Sequence, residues 1–136
     1  MLYPLLRKAL FQLSPEKAHQ LSMNGLHLLA HLPGGSAILK QQFQYQGKDL
    51  AKNILGLHFP NPVGLGAGFD KNAAHLNVLS LLGFGFVEIG TVTPKAQAGN
   101  PSPRLFRLPL DQALINRMGF NNEGVDGKII ASTLKA

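Results

Sequence analysis

The sequence predicts a parallel α/β protein preceded by a pair of amphipathic helices. Three observations predict it. Apolar runs alternate with helix-periodic stretches from residue 61 onward, in the order strand, helix, strand, loop, strand, helix. Most of the 15 glycines fall after Gly47, where tight loops rather than a helical bundle are expected. Before that point the chain carries two stripes with helical spacing.

The first helix is expected from Tyr3 to about Leu13, with Leu5, Leu6, Ala9, Leu10 and Leu13 on one stripe and Arg7 and Lys8 beside it. Ser14-Pro15-Glu16 then reads as a helix start: a capping hydroxyl, proline at the first helical position and an acid in the first turn. The second helix carries Ala18, Leu21, Gly25, Leu28, Leu29 and Leu32 on one face and stops at Pro33-Gly34-Gly35. These faces admit two readings, packing on the rest of the domain or lying on a bilayer with Arg7 and Lys8 toward head groups.

Leu50–Lys52 and Leu57–Phe59 flank Asn53–Gly56 as a short hairpin. Asn61–Phe69 reads as a buried strand entering a glycine-rich loop, residues 72–82 as a helix, and Phe86–Val92 as a second strand. A Pro- and Gly-containing loop occupies Pro94–Pro103. Ala113–Met118 is a third strand candidate, and residues 124–135 a closing helix.

Composition narrows the classes. With 45% apolar and 15% charged residues the chain is globular rather than disordered. Cysteine is absent, so neither disulfides nor thiolate metal sites hold the fold. The net charge of +6 is spread, with five Lys/Arg against two acids in residues 1–49 and eight against five thereafter. A nucleic-acid binder concentrates such charge on a stripe, so no nucleic-acid partner is expected. The longest stretch free of charged residues, Ala18–Leu39, is broken by Pro33-Gly34-Gly35 and is no membrane span. His27 and His31 stand at i, i+4, but no nearby acid or cysteine supplies a third ligand, so no metal site is expected.

In parallel α/β folds, ligands bind beyond the carboxyl ends of the strands. Gly66-Ala67-Gly68 leaves the first strand with almost no side-chain bulk, which lets a flat ring or a phosphate approach the backbone. Asp70-Lys71 follows, and a lysine there can bind a carboxylate or neutralise an electron-rich ring. Taken alone, the same residues also suit a plain surface turn. Thr91 ends the second strand with a hydroxyl on the same rim. Asn116-Arg117-Met118-Gly119-Phe120-Asn121-Asn122 ends the third. Asn amides hold a donor beside an acceptor, which suits the imide edge of a pyrimidine or flavin, though they are also common turn residues.

At these residues the chain resembles the class 2, quinone-linked dihydroorotate dehydrogenases. The matching segments are NPVGLGAGFDK (61–71), GFGFVEIGTVTPKAQAGNPSPRLFRL (83–108) and INRMGFNNEG (115–124), with YPLLRKALFQLSPEKAH (3–19) similar to the helical extension of that class. Gly66 stands where that family often has Ala, and Ala98 where Pro or Glu is frequent.

The resemblance implies a (β/α)₈ TIM barrel with FMN at its C-terminal rim, oxidation of dihydroorotate to orotate in pyrimidine (UMP) synthesis, and reoxidation by a membrane quinone such as ubiquinone. It implies a helical extension over residues 1–35 and the first part of the FMN-binding barrel over 36–136. By position, Ala67, Gly68, Phe69, Asp70, Lys71 and Thr91 would contact FMN. Lys71, Asn116, Arg117, Met118, Gly119 and Phe120 would line the orotate site. His19 and Arg107 would stand near the quinone head group. The family's proton-abstracting Ser lies beyond Ala136, so no catalytic base is expected within the chain. A barrel of this type needs ~250 residues. The chain is therefore expected to be an incomplete part with about three of eight strands, inactive alone. The expected setting is peripheral, on the cytoplasmic side of a bacterial inner membrane.

Overall fold

The structure, a computed structural model, describes residues 3–47 and 49–126. Three helices lead: α1 (Tyr3–Phe11), α2 (Pro15–His31) and α3 (Gly35–Phe43). The start signal of α2 works as expected. Ser14 Oγ accepts from the Lys17 amide at 3.4 Å, and Pro15 opens the helix where its missing N–H costs nothing. Gly34, at φ 79°, turns the chain directly into α3, a helix the periodicity of residues 1–32 does not announce. Gly35 has to be glycine there, because a Cβ would stand 1.8 Å from the Leu29 carbonyl oxygen. Leu39 of α3 is buried with Ala18 and Met23 of α2. α1 buries none of its residues.

A hairpin forms where one was expected, but its first strand is β1 (Lys52–Ile54) rather than Leu50–Lys52; it pairs antiparallel with β2 (Leu57–Phe59), and the loop shortens from Asn53–Gly56 to Leu55-Gly56. Both turn residues have positive φ (51° and 80°), which matches the twist of a two-residue hairpin loop.

β3 (Gly64–Leu65) and β4 (Phe86–Val87) form the parallel pair. The regular ladder is short, but its hydrogen bonding continues on both sides. The Gly85 amide donates to Val63 O, Glu88 to Leu65 O and Gly68 to Gly90 O, each at 2.8 Å. Gly64 faces the Phe86 ring so closely that a Cβ would lie 2.1 Å from it. Asn61, buried, clamps the start of β3: its Nδ2 donates to Gly83 O at 2.9 Å and its Oδ1 accepts from the Val63 amide at 3.0 Å.

The helix expected over 72–82 is shorter than its apolar pattern. Only α4 (Leu76–Leu79) is α-helical, followed by a 3₁₀ turn at Ser80–Leu82. Residues 72–75 are turns instead, because the buried Asp70 carboxylate accepts from the Ala74 and His75 amides at 2.9 and 2.8 Å and fixes them there. Val78 and Leu79 are the most deeply buried side chains, each stabilising the fold by about 1.5–3 kcal/mol.

The third strand candidate is corrected. β6 (Ala113–Asn116) is not a further parallel strand; it pairs antiparallel with β5 (Leu105–Leu108), in the register Leu105 to Asn116. The reason is the length of the connection. Pro109–Gln112 allows a hairpin return, whereas a parallel return needs a crossover of a dozen residues or more. Among the described residues, the parallel sheet is therefore β3 and β4 alone. The helix expected over 124–135 lies almost wholly outside the described residues.

Candidate active site

The carboxyl end of β3 opens into a cavity of about 510 Å³. Three parts of the chain form its wall. The β3 turn supplies Gly68, Phe69, Asp70 and Lys71. The β5–β6 hairpin and the segment after it supply Leu105, Leu114, Asn116, Met118 and Asn121. Helix α2 closes the third side with Glu16, His19 and Gln20.

At the β3 turn the backbone is bare. A Cβ at Gly66 or Gly68 would meet nothing within 4 Å, and Gly68 holds φ at +96°. A flat ring can therefore approach the peptide groups without meeting side chains. Lys71 stands beside this opening. Its Nζ donates to Gly119 O at 3.1 Å and to Asn121 Oδ1 at 2.5 Å. An ammonium has three donors, so one is left for the cavity. Burial, and next the Arg104 charge, hold the Lys71 pKa below the usual lysine value; Glu16 opposes this.

Of the residues singled out from sequence, Gly68, Phe69, Asp70, Lys71, Asn116, Met118 and His19 share this cavity. Ala67, Thr91, Arg117, Gly119 and Phe120 lie outside its wall. Thr91 follows Gly90, whose carbonyl accepts from the Gly68 amide, so it remains on the same rim. Gly119 takes part through its carbonyl on Lys71, and Phe120 is exposed. The Asp70 carboxylate is committed to the amides of Ala74 and His75. Asn116 Oδ1 accepts from the Met118 amide at 2.9 Å. Asn122 is buried, and its Oδ1 accepts from the amides of Thr93 and Gly124 and from Thr93 Oγ1.

Arg107 lies elsewhere. It borders a second cavity of about 380 Å³ between α1 and the hairpin, lined by Tyr3, Arg7, Phe11, Gln112 and others. Its guanidinium donates to Leu13 O at 2.7 Å and stands 4.5 Å from the Phe11 ring centroid. His19 and Arg107 thus face different cavities, although Leu114 borders both. The i, i+4 histidines are otherwise engaged: His31 Nδ1 donates to His27 O, and His27 Nε2 meets His75 Nδ1.

Sequence reasoning missed the ion pair made by Glu16 of the cavity wall. Arg104 forks onto Glu16, with Nε to Oε1 at 3.0 Å and Nη2 to Oε2 at 2.8 Å, joining α2 to the hairpin across 88 residues. Arg104 holds the Glu16 carboxyl below its ordinary value of 4.5, and burial opposes this. A lowered carboxyl pKa stabilises the fold above the unfolded value and loses that contribution as pH falls through the folded one. The Glu16 side chain is 34% exposed, so the contribution is that of a surface pair, about 0–1 kcal/mol. Glu16→Gln is expected to flatten the fall in urea midpoint below about pH 4.5. Identical acid profiles for the two proteins would show that the fork adds nothing to stability.

The model of the dihydroorotate dehydrogenase family matches residues 49–135. The chain belongs to that family. Its curated relatives include the dihydroorotate dehydrogenase (quinone) of Marinobacter nauticus, 54% identical over 125 residues, which are 92% of this chain and 35% of the relative. That of Acidithiobacillus ferrooxidans is 55% identical over 124 residues, 91% of this chain and 34% of the relative. The crystal structure of Eimeria tenella DHODH in complex with ferulenol superposes with a TM-score of 0.69 at 46% identity, over 89% of this chain and 30% of that one. The chain therefore spans about a third of the length of the dihydroorotate dehydrogenases it matches.

Proposed function

We propose that this chain belongs to an enzyme that oxidises dihydroorotate to orotate in UMP synthesis and passes the electrons through FMN to a membrane quinone. One observation carries the reading. A single cavity collects a bare glycine turn, a lysine with a free donor, an asparagine and a histidine from a helix that precedes the barrel segment. The open backbone face at Gly66 and Gly68 fits a flavin ring. Bound there, FMN supplies hydride acceptance from the substrate and electron delivery to the quinone.

The chain's own residues divide the work. Ala67–Lys71 and Thr91 hold the cofactor, the glycines by allowing close approach. Lys71, with Asn116–Phe120, holds the substrate; its ammonium pairs with a carboxylate and stabilises developing negative charge. The proton-abstracting Ser of the family lies outside these residues. His19 and Arg107 serve the quinone from two adjoining cavities, and residues 1–35 form its entrance.

Membrane contact is supported by α1, which buries no residue and exposes Tyr3, Leu5 and Leu6 at 70, 66 and 52%. Arg7 and Lys8 on the same helix suit anionic head groups. Among the described residues no helix is long and apolar enough to cross a membrane. The reading places the contact peripherally, on the cytoplasmic face of a bacterial inner membrane.

The test is anaerobic. The full-length protein should purify with flavin, lose flavin absorbance on addition of dihydroorotate, and regain it on addition of a short-chain ubiquinone. Flavin that dihydroorotate does not bleach would overturn the reading.

A further inference from the structure

Four of the chain's five histidines gather in one row. His19, His27 and His31 come from one face of α2, and His75 comes from the turn that opens α4. Neighbouring ring centroids lie 6.2 Å apart for His19 and His75, 5.2 Å for His75 and His27, and 6.4 Å for His27 and His31. The row has a direction. His31 is exposed, His27 and His75 are half-buried, and His19 reaches the cavity wall with its ring edge-on to Phe69 at 4.7 Å.

The central contact is His27 Nε2 to His75 Nδ1, at 2.9 Å. An imidazole nitrogen either carries a proton or offers a lone pair, so this contact holds one proton between two rings of the same chemistry. When the pair takes up one extra proton, transfer across it is close to thermoneutral, because imidazolium hands its proton to an imidazole of the same kind. The packing of α2 on α4 alone does not call for this. An apolar pair would fill the same space without a hydrogen bond to satisfy.

We propose that the His27–His75 pair is a proton-transfer link between solvent and His19 at the cavity wall. The proposal rests on the reading that this cavity serves quinone reduction. Quinone becomes quinol by taking up two electrons and two protons. The reduced flavin supplies the two electrons and the proton it took up with them as hydride; the second proton comes from solvent, and each forms an O–H bond on the quinol. The link would bring that second proton in from the exposed end of α2, and ring rotation of His75 would carry it to His19. The charged groups that face the row are Asp70, whose carboxylate is tied to the Ala74 and His75 amides, and, on the cavity wall with His19, Lys71 and Glu16, the latter paired with Arg104. Asp70 favours a protonated His19, while burial and His75 favour the neutral ring and prevail. A neutral His19 can accept a proton from the link and pass it on.

His27 does not line the cavity, so substitutions there leave the flavin and substrate contacts in place. His27→Gln keeps a hydrogen-bonding side chain but cannot relay a proton. In the flavin-loaded, full-length protein, His27→Gln should leave dihydroorotate-driven flavin reduction within about twofold of wild type. Reoxidation by a short-chain quinone should slow about tenfold or more, with a changed pH profile. His27→Ala should slow likewise and recover when imidazole is added. In ¹⁵N-histidine-labelled wild type, a nitrogen–nitrogen coupling should appear across the His27–His75 bond. Absence of that coupling, a wild-type reoxidation rate in His27→Gln, or equal slowing of both half-reactions would overturn the link. A wild type reduced by dihydroorotate but not reoxidised by quinone would instead remove the functional reading, and the link with it.

Discussion

Lys71→Ala, in the flavin-loaded protein at full length, is expected to lower dihydroorotate oxidation about a hundredfold or more. The side chain is placed for this. Gly119 O and Asn121 Oδ1 take two of its three donors and aim the ammonium at the cavity beside the bare Gly66–Gly68 turn. Both partners are neutral oxygens, so the positive charge is left available to the substrate rather than cancelled. Partial burial sharpens the effect, because a charge in a less polar setting acts more strongly on a neighbour. Lys71→Arg should not restore the rate, since a planar fork cannot reproduce a compact ammonium held at two points. Asn121→Ala should cost less, because Gly119 O still holds the nitrogen. Rapid-mixing measurement of flavin reduction checks all three. Rates near wild type for Lys71→Ala would remove it from the site.

Local features were legible because local chemistry determines them. Ser14-Pro15-Glu16 starts α2 through contacts within four residues. The Leu55-Gly56 turn closes a hairpin between Lys52–Ile54 and Leu57–Phe59. Gly66–Gly68 leaves an open backbone because glycine has no side chain, whatever the rest of the fold does. The two N-terminal helices ended within two residues of their expected positions.

What the sequence concealed was partnership. The short apolar run Ala113–Ile115 suits a strand but does not say which way its neighbour runs. A usable signal was present in the four-residue spacing between Leu108 and Ala113, too short for a parallel return. Asp70 was expected at the cofactor from the family resemblance, which did not announce that its carboxylate also caps the backbone at Ala74 and His75. Its spacing from the following helix carried that information. The Glu16–Arg104 fork had no such signal, since its partners are 88 residues apart. Arg107 lies on β5 and Arg104 just before it, and the placement of α2 and α1 decides their partners, Glu16 for Arg104 and the Leu13 carbonyl for Arg107.

Deleting residues 1–33 is expected to damage quinone reduction more than flavin reduction. The β3 turn, Lys71, Asn116 and Asn121 all remain, so the ring and substrate contacts are retained. The deletion removes Glu16, His19 and Gln20 from the large cavity, and Tyr3, Arg7 and Phe11 from the small one. It also frees Arg104 and Arg107, whose guanidinium groups are positioned by Glu16 and by the Leu13 carbonyl. A bulky apolar acceptor then meets an open surface in place of a walled approach. Loss of such positioning costs on the order of a hundredfold. The exposed apolar stripe of α1 goes too, so binding to anionic liposomes should fall in parallel. The deletion also removes α2, whose Ala18 and Met23 are buried as Leu39 of α3 is, so the shortened protein should be compared with wild type by thermal unfolding before rates are read. Dihydroorotate should still bleach its flavin within about tenfold of the wild-type rate, with reoxidation by a short-chain quinone becoming the slow step. Equal loss of both half-reactions in a folded protein would assign the helices a purely structural role.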